Sequence, residues 1–192
     1  MALILRNTNK SIFSLMLGMC FWVSTAKAQV ISLQDILVFP VLGSEQTGDR
    51  LQAEGWQFYN VEFISDSSLT RKTWVINNKH NDLKSYVQYW DFTKAPEQSY
   101  VFYQFSERKT FDNYIPELKK LGYKELKSKK KKNKKSDPNL YKEQDVLFIK
   151  ESSNSLIVLK EIFIYGMNSF VISSYNIHSK MGQHLISQEK QP

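Results

Sequence analysis

Two stretches decide the fold: Leu51-Gln52-Ala53-Glu54-Gly55-Trp56 and, 67 residues further on, Leu118-Lys119-Lys120-Leu121-Gly122-Tyr123. In each stretch, a leucine precedes a glycine by four residues, and an aromatic residue follows the glycine. Such a leucine anchors the last turn of a helix, and the glycine ends that helix in a left-handed conformation. The aromatic residue then opens a strand. The two stretches therefore predict two similar helix-to-strand junctions.

Helix signals precede both junctions. Before the first, Ser32 is a good N-terminal cap for a helix that begins at Leu33, and Asp35 stands three residues later, as in a capping box. Pro40 and Gly43 should break or bend this helix, which predicts a second short helix over 44–54. Before the second junction, Thr110 and Asp112 suit the start of a helix whose apolar residues recur at helical spacing, and Gly122 ends it.

Strand-like runs follow each junction. They are rich in aromatic and β-branched residues and are separated by polar, turn-forming segments. Four runs follow the first junction: Trp56 to Phe63, Thr73 to Asn77, Ser85 to Phe92 and Ser99 to Phe105. Four follow the second: Tyr123 to Lys127, Asp145 to Lys150, Leu156 to Ile164 and Phe170 to Tyr175.

The order of these elements predicts an α+β protein of two similar halves, residues 29–107 and 108–176. Each half is a helical segment followed by an antiparallel sheet of about four strands. The alternative is a single α+β sheet whose connections look alike by coincidence. Residues 177–192 are mostly polar, and they are expected to form a tail with one short amphipathic turn around Met181, Leu185 and Ile186.

This order resembles the tandem helix-plus-four-strand design of the β-lactamase inhibitor protein type. The resemblance spans residues 32–176 and rests on element order and on the Gly55-Trp56 and Gly122-Tyr123 junctions. It implies an exported module that binds proteins or belongs to the cell envelope. Because the resemblance is one of topology, no functional residue is carried over from that family.

The first 28 residues form a secretory signal. Arg6 and Lys10 give a positive start, a mostly apolar stretch covers 11–23, and small residues lead to a cleavage site after Ala28. The apolar stretch is too short to span a bilayer, so the pattern predicts no transmembrane anchor after cleavage. An alternative is lipid attachment at Cys20, but Met19 stands where that site needs a small residue. The expected location is periplasmic or extracellular.

The charge of the chain is concentrated in one segment. The net charge of +7 becomes +4 when the three basic residues of 1–28 leave, since no acidic residue leaves with them. Seven lysines stand within residues 127–135, and without them the remaining chain would carry −3. The body is therefore mildly acidic, with one basic segment that is expected to form a loop between two strands.

This Lys-rich loop is open to two interpretations. Lys129, Lys130, Lys131 and Lys132 are candidates for electrostatic contact with an anionic surface, such as lipid headgroups or acidic glycans. The alternative is a solvated loop that discourages edge-to-edge pairing of strands. The segment contains no aromatic residue for stacking on bases, so no specific nucleic-acid partner is predicted.

Aromatic residues mark a second candidate surface. Both faces of the strands over 85–92 and 99–105 carry large aromatic residues, unlike a sheet with one solvated side. Internal packing against a helix or the other half explains one face. A binding surface that involves Trp74, Tyr86 and Trp90 is the alternative, because Trp and Tyr are favoured at binding hot spots. Such a surface would suit a protein or a glycan of the cell envelope.

Catalytic and metal-binding motifs do not appear in the sequence. The only cysteine is Cys20, within the signal, and the three histidines do not stand at metal-ligand spacing. Nucleophile and phosphate-binding motifs are absent as well. The sequence therefore predicts no cofactor, no metal and no catalytic residue, and it favours an exported, non-enzymatic binding module. The alternative function is hydrolysis of envelope polymers by converging carboxylates.

Overall fold

Both predicted glycine junctions are present in the computed structural model, which describes residues 30–65, 68–76, 85–126, 142–164 and 167–190. Gly55 and Gly122 have φ values of 88° and 84°, in the left-handed region that favours glycine. At each junction the backbone turns back on the helix in the same way. The Trp56 amide donates to the Leu51 carbonyl at 2.9 Å, and the Tyr123 amide donates to the Leu118 carbonyl at 3.0 Å.

Three helices are formed by the described residues: α1 (Leu33–Ala53), α2 (Arg108–Lys120) and α3 (Lys180–Lys190). Ser32 caps α1 as predicted, because its hydroxyl accepts a hydrogen bond from the Asp35 amide at 3.1 Å. Gly43 interrupts α1 with φ 80° and ψ 170°, which divides it into two helical segments. The predicted bend at Gly43 is therefore confirmed.

The strands form one eight-stranded antiparallel sheet in the order β1-β2-β3-β4-β8-β7-β6-β5. The first four strands are β1 (Gln57–Ser65), β2 (Leu69–Ile76), β3 (Ser85–Phe92) and β4 (Tyr100–Phe105). The last four are β5 (Lys124–Leu126), β6 (Lys142–Lys150), β7 (Ser155–Ile164) and β8 (Met167–Asn176). The predicted α+β class is confirmed, with a single sheet that joins all eight strands.

Strand boundaries differ most from prediction where polar residues take part in pairing. β3 has the predicted bounds, whereas β2, β6 and β8 begin three or four residues earlier than predicted. The extra residues pair along long hairpins; Lys142, for example, lies opposite Phe163. Pairing satisfies backbone hydrogen bonds whatever the side chain, so hydropathy alone underestimates the length of these strands.

The main core lies between one face of the sheet and the helices α1 and α2. This helix-covered face carries alternate residues of the strands, as the period of two requires. Its largest fully buried members from the strands include Tyr89, Tyr103, Phe148 and Phe170, and the helices contribute Phe39, Leu51 and Leu118. The Tyr114 hydroxyl of α2 donates to the Ile31 carbonyl at 2.6 Å, so α2 is also tied to the segment before α1.

The opposite face of the sheet carries a second, smaller core. Leu147, Leu156, Val158 and Ile177 are buried there, and Leu185 and Ile186 of α3 pack against them. Residues 180–190 are therefore a docked helix of 11 residues, where the sequence predicted one short turn in a polar tail. Three apolar residues were too few for a helical pattern to be recognised in the sequence. They are enough to stabilise the helix once it packs on a buried apolar patch of the sheet.

Two predicted segments lie outside the described residues. The signal at 1–28 and the Lys-rich loop at 127–135 belong to the parts of the chain that the structure does not describe. The strands next to that loop are β5, which ends at Leu126, and β6, which begins at Lys142.

A pH-dependent loss of stability follows from the buried tyrosines of the core. Burial and, to a smaller extent, the nearby Asp91 carboxylate raise the pKa of Tyr89 to about 12, although a hydrogen bond with Ser99 acts in the opposite direction. The pKa of the unfolded tyrosine is lower, about 10, so the folded state holds this proton more tightly. The stabilisation is complete below pH ~10 and is lost as the pH rises towards 12.

We expect Tyr89→Phe to reduce this alkaline loss. Between pH ~9 and ~12, the wild type should lose up to about 3 kcal/mol more of its free energy of unfolding than the variant loses. Urea unfolding at several pH values measures this difference. Near neutral pH the variant should be only about 1 kcal/mol less stable, since it lacks the hydroxyl that donates to the Pro40 carbonyl. Identical pH profiles would contradict the prediction.

Candidate functional site

The sheet face opposite α1 and α2 carries a group of half-buried aromatic side chains. We call this group the aromatic face and define it by six residues: Tyr86, Trp90 and Phe92 of β3, Tyr100 and Phe102 of β4, and Tyr175 of β8. Register places them together, because Trp90 lies opposite Tyr100 across β3 and β4. Alternation along each strand then turns all of them to the same side.

The rings of the aromatic face stack on one another. Trp90 and Tyr100 are nearly parallel, with centroids 5.5 Å apart and an interplanar angle of 12°. Tyr86 and Phe102 form a second stacked pair at 5.9 Å and 19°. Tyr100 also contacts Tyr175, with centroids 4.8 Å apart, which extends the group to β8. The rings therefore stand side by side across the strands and use their faces in contacts with each other.

Arg71 of β2 borders the aromatic face. Its guanidinium carbon lies 5.0 Å from the centroid of the Trp90 ring, in a cation–π contact. Arg71 also forms an ion pair with Glu62 of β1, and the Asn60 amide donates to the same carboxylate at 3.1 Å. Trp90 is thus held between Arg71 and Tyr100, so its edge is the part left for contact with another molecule.

Two polar atoms next to the aromatic face lack hydrogen-bond partners. Arg71 Nε and Asn60 Oδ1 are buried and make no hydrogen bond within the described part of the chain. Buried polar atoms are nearly always paired in folded proteins, so each unpaired one calls for an explanation. Both atoms belong to side chains that bind the Glu62 carboxylate through their other polar groups, at the border of the aromatic face.

The aromatic face is electrically balanced. Burial raises the pKa of Tyr86 and, more strongly, that of Tyr100, so both rings are neutral over the whole physiological range. The positive charge of Arg71 is compensated by Glu62. The Tyr86 hydroxyl donates to Gln104 at 2.6 Å. The surface therefore offers apolar ring edges beside uncharged polar groups and one ion pair.

The C-terminal helix borders the aromatic face on the same side of the sheet. Through Leu185 and Ile186, α3 packs against the cluster of β6, β7 and β8, and Tyr175 packs against that cluster too. The N-terminal end of α3 is held near β4, because the Lys180 amide donates to the Gln98 side chain at 2.6 Å. One part of this side of the sheet is thus covered by α3, and the aromatic face is the neighbouring part.

The three residues predicted as a binding surface do not lie together. Tyr86 and Trp90 belong to the aromatic face, but Trp74 lies on the helix-covered face and is 2% exposed. A Cβ atom on Gly48 of α1 would come within 2.9 Å of the Trp74 ring, which shows how closely the helix crosses it. Trp74 therefore belongs to the core and not to a surface shared with Tyr86 and Trp90.

Sequence reasoning missed several members of the candidate site. The sequence shows large aromatic residues on both faces of the strand over 99–105, but Tyr100, Phe102 and Arg71 are not among the predicted surface residues. The available signal was the strand register: once β3 and β4 form a hairpin, Trp90 must have a neighbour on β4. The predicted anionic-contact residues Lys129, Lys130, Lys131 and Lys132 lie outside the described residues.

A polar contact between α1 and the sheet resembles a nucleophile site but has a structural role. Lys72 Nζ donates to Ser44 Oγ at 2.9 Å, and Ser44 Oγ donates to Asp91 Oδ2 at 2.8 Å. The serine hydroxyl donates to a carboxylate and accepts from an ammonium group, so the three side chains form a hydrogen-bonded bridge between α1 and the sheet. Ser44 is 7% exposed on the side of α1 that faces the sheet, where a substrate does not reach it.

Two carboxylates meet at the ends of α1, but both have local roles. Burial raises the pKa of Glu54, and the charge of Asp35 raises it further. Asp35 is hydrogen-bonded to Ser32 and lies 3.4 Å from Arg50 Nε. Glu54 is the C-terminal cap of the helix. This arrangement stabilises the two ends of α1 and does not resemble a pair of carboxylates on opposite sides of a bound substrate.

The described residues contain no group of three or more histidine, cysteine or acidic side chains placed to hold a metal ion. Within the same parts of the chain, no helix is both long and apolar enough to span a membrane. Comparison with protein-family models, with curated proteins and with solved structures gives no significant match for this chain.

Proposed function

We propose that this protein is an exported, non-enzymatic binding module whose aromatic face contacts a protein of the cell envelope or its surroundings. The observation that carries the proposal is the stacked group around Trp90, half-buried on a side of the sheet that α3 covers only in part. Tryptophan, tyrosine and arginine are the residues that dominate binding energy at protein interfaces. Trp90 and Tyr100 stack within this face, and Arg71 lies against Trp90 at its border.

A protein ligand suits the geometry better than a glycan. Sugars bind by stacking on the open face of an aromatic ring, whereas one face of Trp90 lies against Tyr100 and the other against Arg71. Ring edges instead fit the apolar side chains of a protein surface. The Arg71–Glu62 ion pair, whose side chains are 27% and 43% exposed, would supply polar contacts at the edge of the interface.

The tandem design is part of the same proposal. The sheet order β1-β2-β3-β4-β8-β7-β6-β5 is what two helix-plus-four-strand units joined at their fourth strands would produce. The matching hydrogen bonds after Gly55 and Gly122 support two copies of one unit, 29–107 and 108–176. We infer from this a resemblance in design to modules of the β-lactamase inhibitor protein type, which agrees with a binding role but names no ligand.

The proposal that the protein is exported depends on its amino-terminal sequence alone. Cleavage after Ala28 would release a thiol-free chain to the periplasm or to the outside of the cell. Attachment to an anionic surface through Lys129, Lys130, Lys131 and Lys132 would be compatible with binding through the aromatic face. No contact among the described residues favours the alternative of carboxylate-based hydrolysis.

Site-specific photocrosslinking tests the proposed function. A photoreactive amino acid placed at Phe102, within the aromatic face, should capture a defined protein in the cell envelope. The matched control is the same amino acid at Val41, which is 85% exposed on α1 and belongs to the other side of the sheet. We expect crosslinks from position 102 and none to the same protein from position 41.

The captured protein then allows a quantitative measurement. Trp90→Ala should weaken its binding by roughly 30-fold, because a central aromatic residue of an interface contributes about 2 kcal/mol. Val41→Ala should bind as the wild type does, and thermal unfolding should show that both variants fold. Equal capture from positions 102 and 41, or unchanged affinity of Trp90→Ala, would contradict the proposal, as would capture of glycans alone.

A further inference from the structure

The edge strand β1 is unusually apolar for a strand at the border of a sheet. It pairs with β2 and is the first strand in the sheet order, so its other side has no strand partner among the described residues. Five of its large apolar side chains are exposed: Phe58 (49%), Tyr59 (65%), Val61 (41%), Phe63 (72%) and Ile64 (42%). Natural proteins usually protect such an edge with lysine, proline or a short strand.

The other edge of the sheet shows this protection. β5 has only three residues, Lys124–Leu126, and its first two side chains are charged and exposed. β1 has nine residues and contains neither lysine nor proline. Within the same sheet, one edge is therefore short and charged while the other is long and apolar. This difference indicates that β1 is kept available for pairing.

The exposed residues of β1 extend past the cover that α1 provides. Val61 lies opposite Lys72, whose ammonium group reaches Ser44 of α1, so the helix lies over β2 at this level while Val61 itself stays 41% exposed. Phe58 lies opposite Trp74 on the helix-covered face of the sheet. The two rings make an edge contact, with centroids 5.9 Å apart. The apolar side chains thus continue the core to the border of the sheet, where a further strand would cover them.

The sequence of β1 is complementary to itself when two copies run antiparallel. With Val61 opposite Val61 of a second copy, Phe58 lies opposite Ile64, Tyr59 opposite Phe63, and Asn60 opposite Glu62. Apolar residues then meet apolar residues, and the only charged side chain of the strand meets an amide. Centring the pair on Glu62 would instead place two carboxylates directly opposite each other, which is unfavourable.

The irregularities of β1 leave the centre of this register, the Val61–Val61 and Asn60–Glu62 pairs, in a regular part of the strand. Its pairing with β2 shifts between Phe58 and Asn60 and again between Phe63 and Ser65. Bulges of this kind often protect edges, but the residues between them, Asn60 to Phe63, remain in regular register. Val61, the centre of the self-complementary pattern, lies within this regular part.

We propose that two copies of this chain form a symmetric dimer by antiparallel pairing of their β1 strands, centred on Val61. A two-fold axis perpendicular to the sheet keeps each face on its own side, so the two sheets become one sheet of sixteen strands. The dimer leaves the aromatic face of each copy free. It therefore does not depend on the binding role proposed above, and it would place two such faces on one side of a common sheet.

Sedimentation velocity of the protein purified after expression of the full chain tests the dimer. The wild type should change from the mass of one chain to that of two as its concentration rises through the micromolar range. Val61→Lys should remain a monomer at every concentration, because two ammonium groups would face each other at the axis. Val41→Lys is the matched control, a lysine at an exposed valine away from β1, and it should dimerise as the wild type does.

Charge pairing tests the register itself. An equimolar mixture of Val61→Lys and Val61→Glu should form a heterodimer, although neither variant should dimerise alone. A mixture of Tyr59→Lys and Phe63→Glu should also associate, since these positions are opposite each other in the proposed register. A wild type that is monomeric throughout, a dimer that survives Val61→Lys, or a failure of both mixtures to associate would overturn the proposal.

Discussion

Trp56→Ala should lower the free energy of unfolding by about 3–5 kcal/mol, the range for truncation of a large buried aromatic side chain. Trp56 is 2% exposed and packs edge-on against Tyr103, with ring centroids 5.9 Å apart. It follows Gly55 directly, so it joins the end of α1 to the first strand and to the centre of the helix-covered core. Removing the ring leaves a cavity where the helix meets the sheet.

Urea unfolding of the wild type, Trp56→Ala and Tyr59→Ala checks this prediction. Tyr59 is 65% exposed three residues further along, and its truncation in dilute protein should change stability by no more than about 0.5 kcal/mol. Trp56→Phe should cost much less than Trp56→Ala, since Trp56 Nε1 has no hydrogen-bond partner within the described residues. If Trp56→Ala and Tyr59→Ala lower the free energy of unfolding equally, the placement of Trp56 in the core is contradicted.

Gly182→Ala should release α3 from the sheet at a cost of about 2–3 kcal/mol, as expected for overpacking at a rigid contact. A Cβ atom at Gly182 would lie 2.3 Å from the Asn176 carbonyl oxygen, which belongs to the backbone at the end of β8. The Gly182 amide donates to Ser179 Oγ at 2.9 Å, and that hydroxyl donates to Asn176 O at 2.7 Å. Added volume at this position must therefore move the first turn of α3.

Hydrogen exchange separates this local effect from global unfolding. In Gly182→Ala, the amides of 180–190 should exchange much faster than in the wild type, whereas those of β3 and β4 should stay protected. Ser187→Ala is the matched control in the same helix, because Ser187 is exposed and bonds only within α3. An α3 that remains equally protected in Gly182→Ala would show that the helix tolerates the added methyl group.

Local signals predicted the elements near each glycine well. The start of α1 at Leu33, its break at Gly43 and the turns at Gly55 and Gly122 depend on side-chain caps and on backbone conformations that few residues adopt. These interactions join residues close together in the chain, so the sequence around them contains the whole cause. The bounds of β3 were predicted correctly for a similar reason, since alternating large side chains mark a paired strand.

The candidate site was predicted only in part. Alternation along 85–92 places Val87 and Tyr89 on the opposite side of the strand from Tyr86 and Trp90, but it does not show which set faces the helices. Trp74 was placed with the wrong set, because the register between β2 and β3 puts it opposite Val87. The helical nature of residues 180–190 was missed for a comparable reason, since the cluster that receives Leu185 and Ile186 is built from distant strands.

Up to the end of β8, the sequence by itself determined the kinds of element, their order and the two glycine junctions, because capping and periodicity act over a few residues. Only the tertiary structure decided that all eight strands join one sheet, that Trp74 is core while Trp90 is half-buried, and that β1 forms an exposed apolar edge. Burial depends on which residues meet across long stretches of chain. Several strands have two chemically similar faces, and the packing of α1, α2 and α3 determines which face is buried.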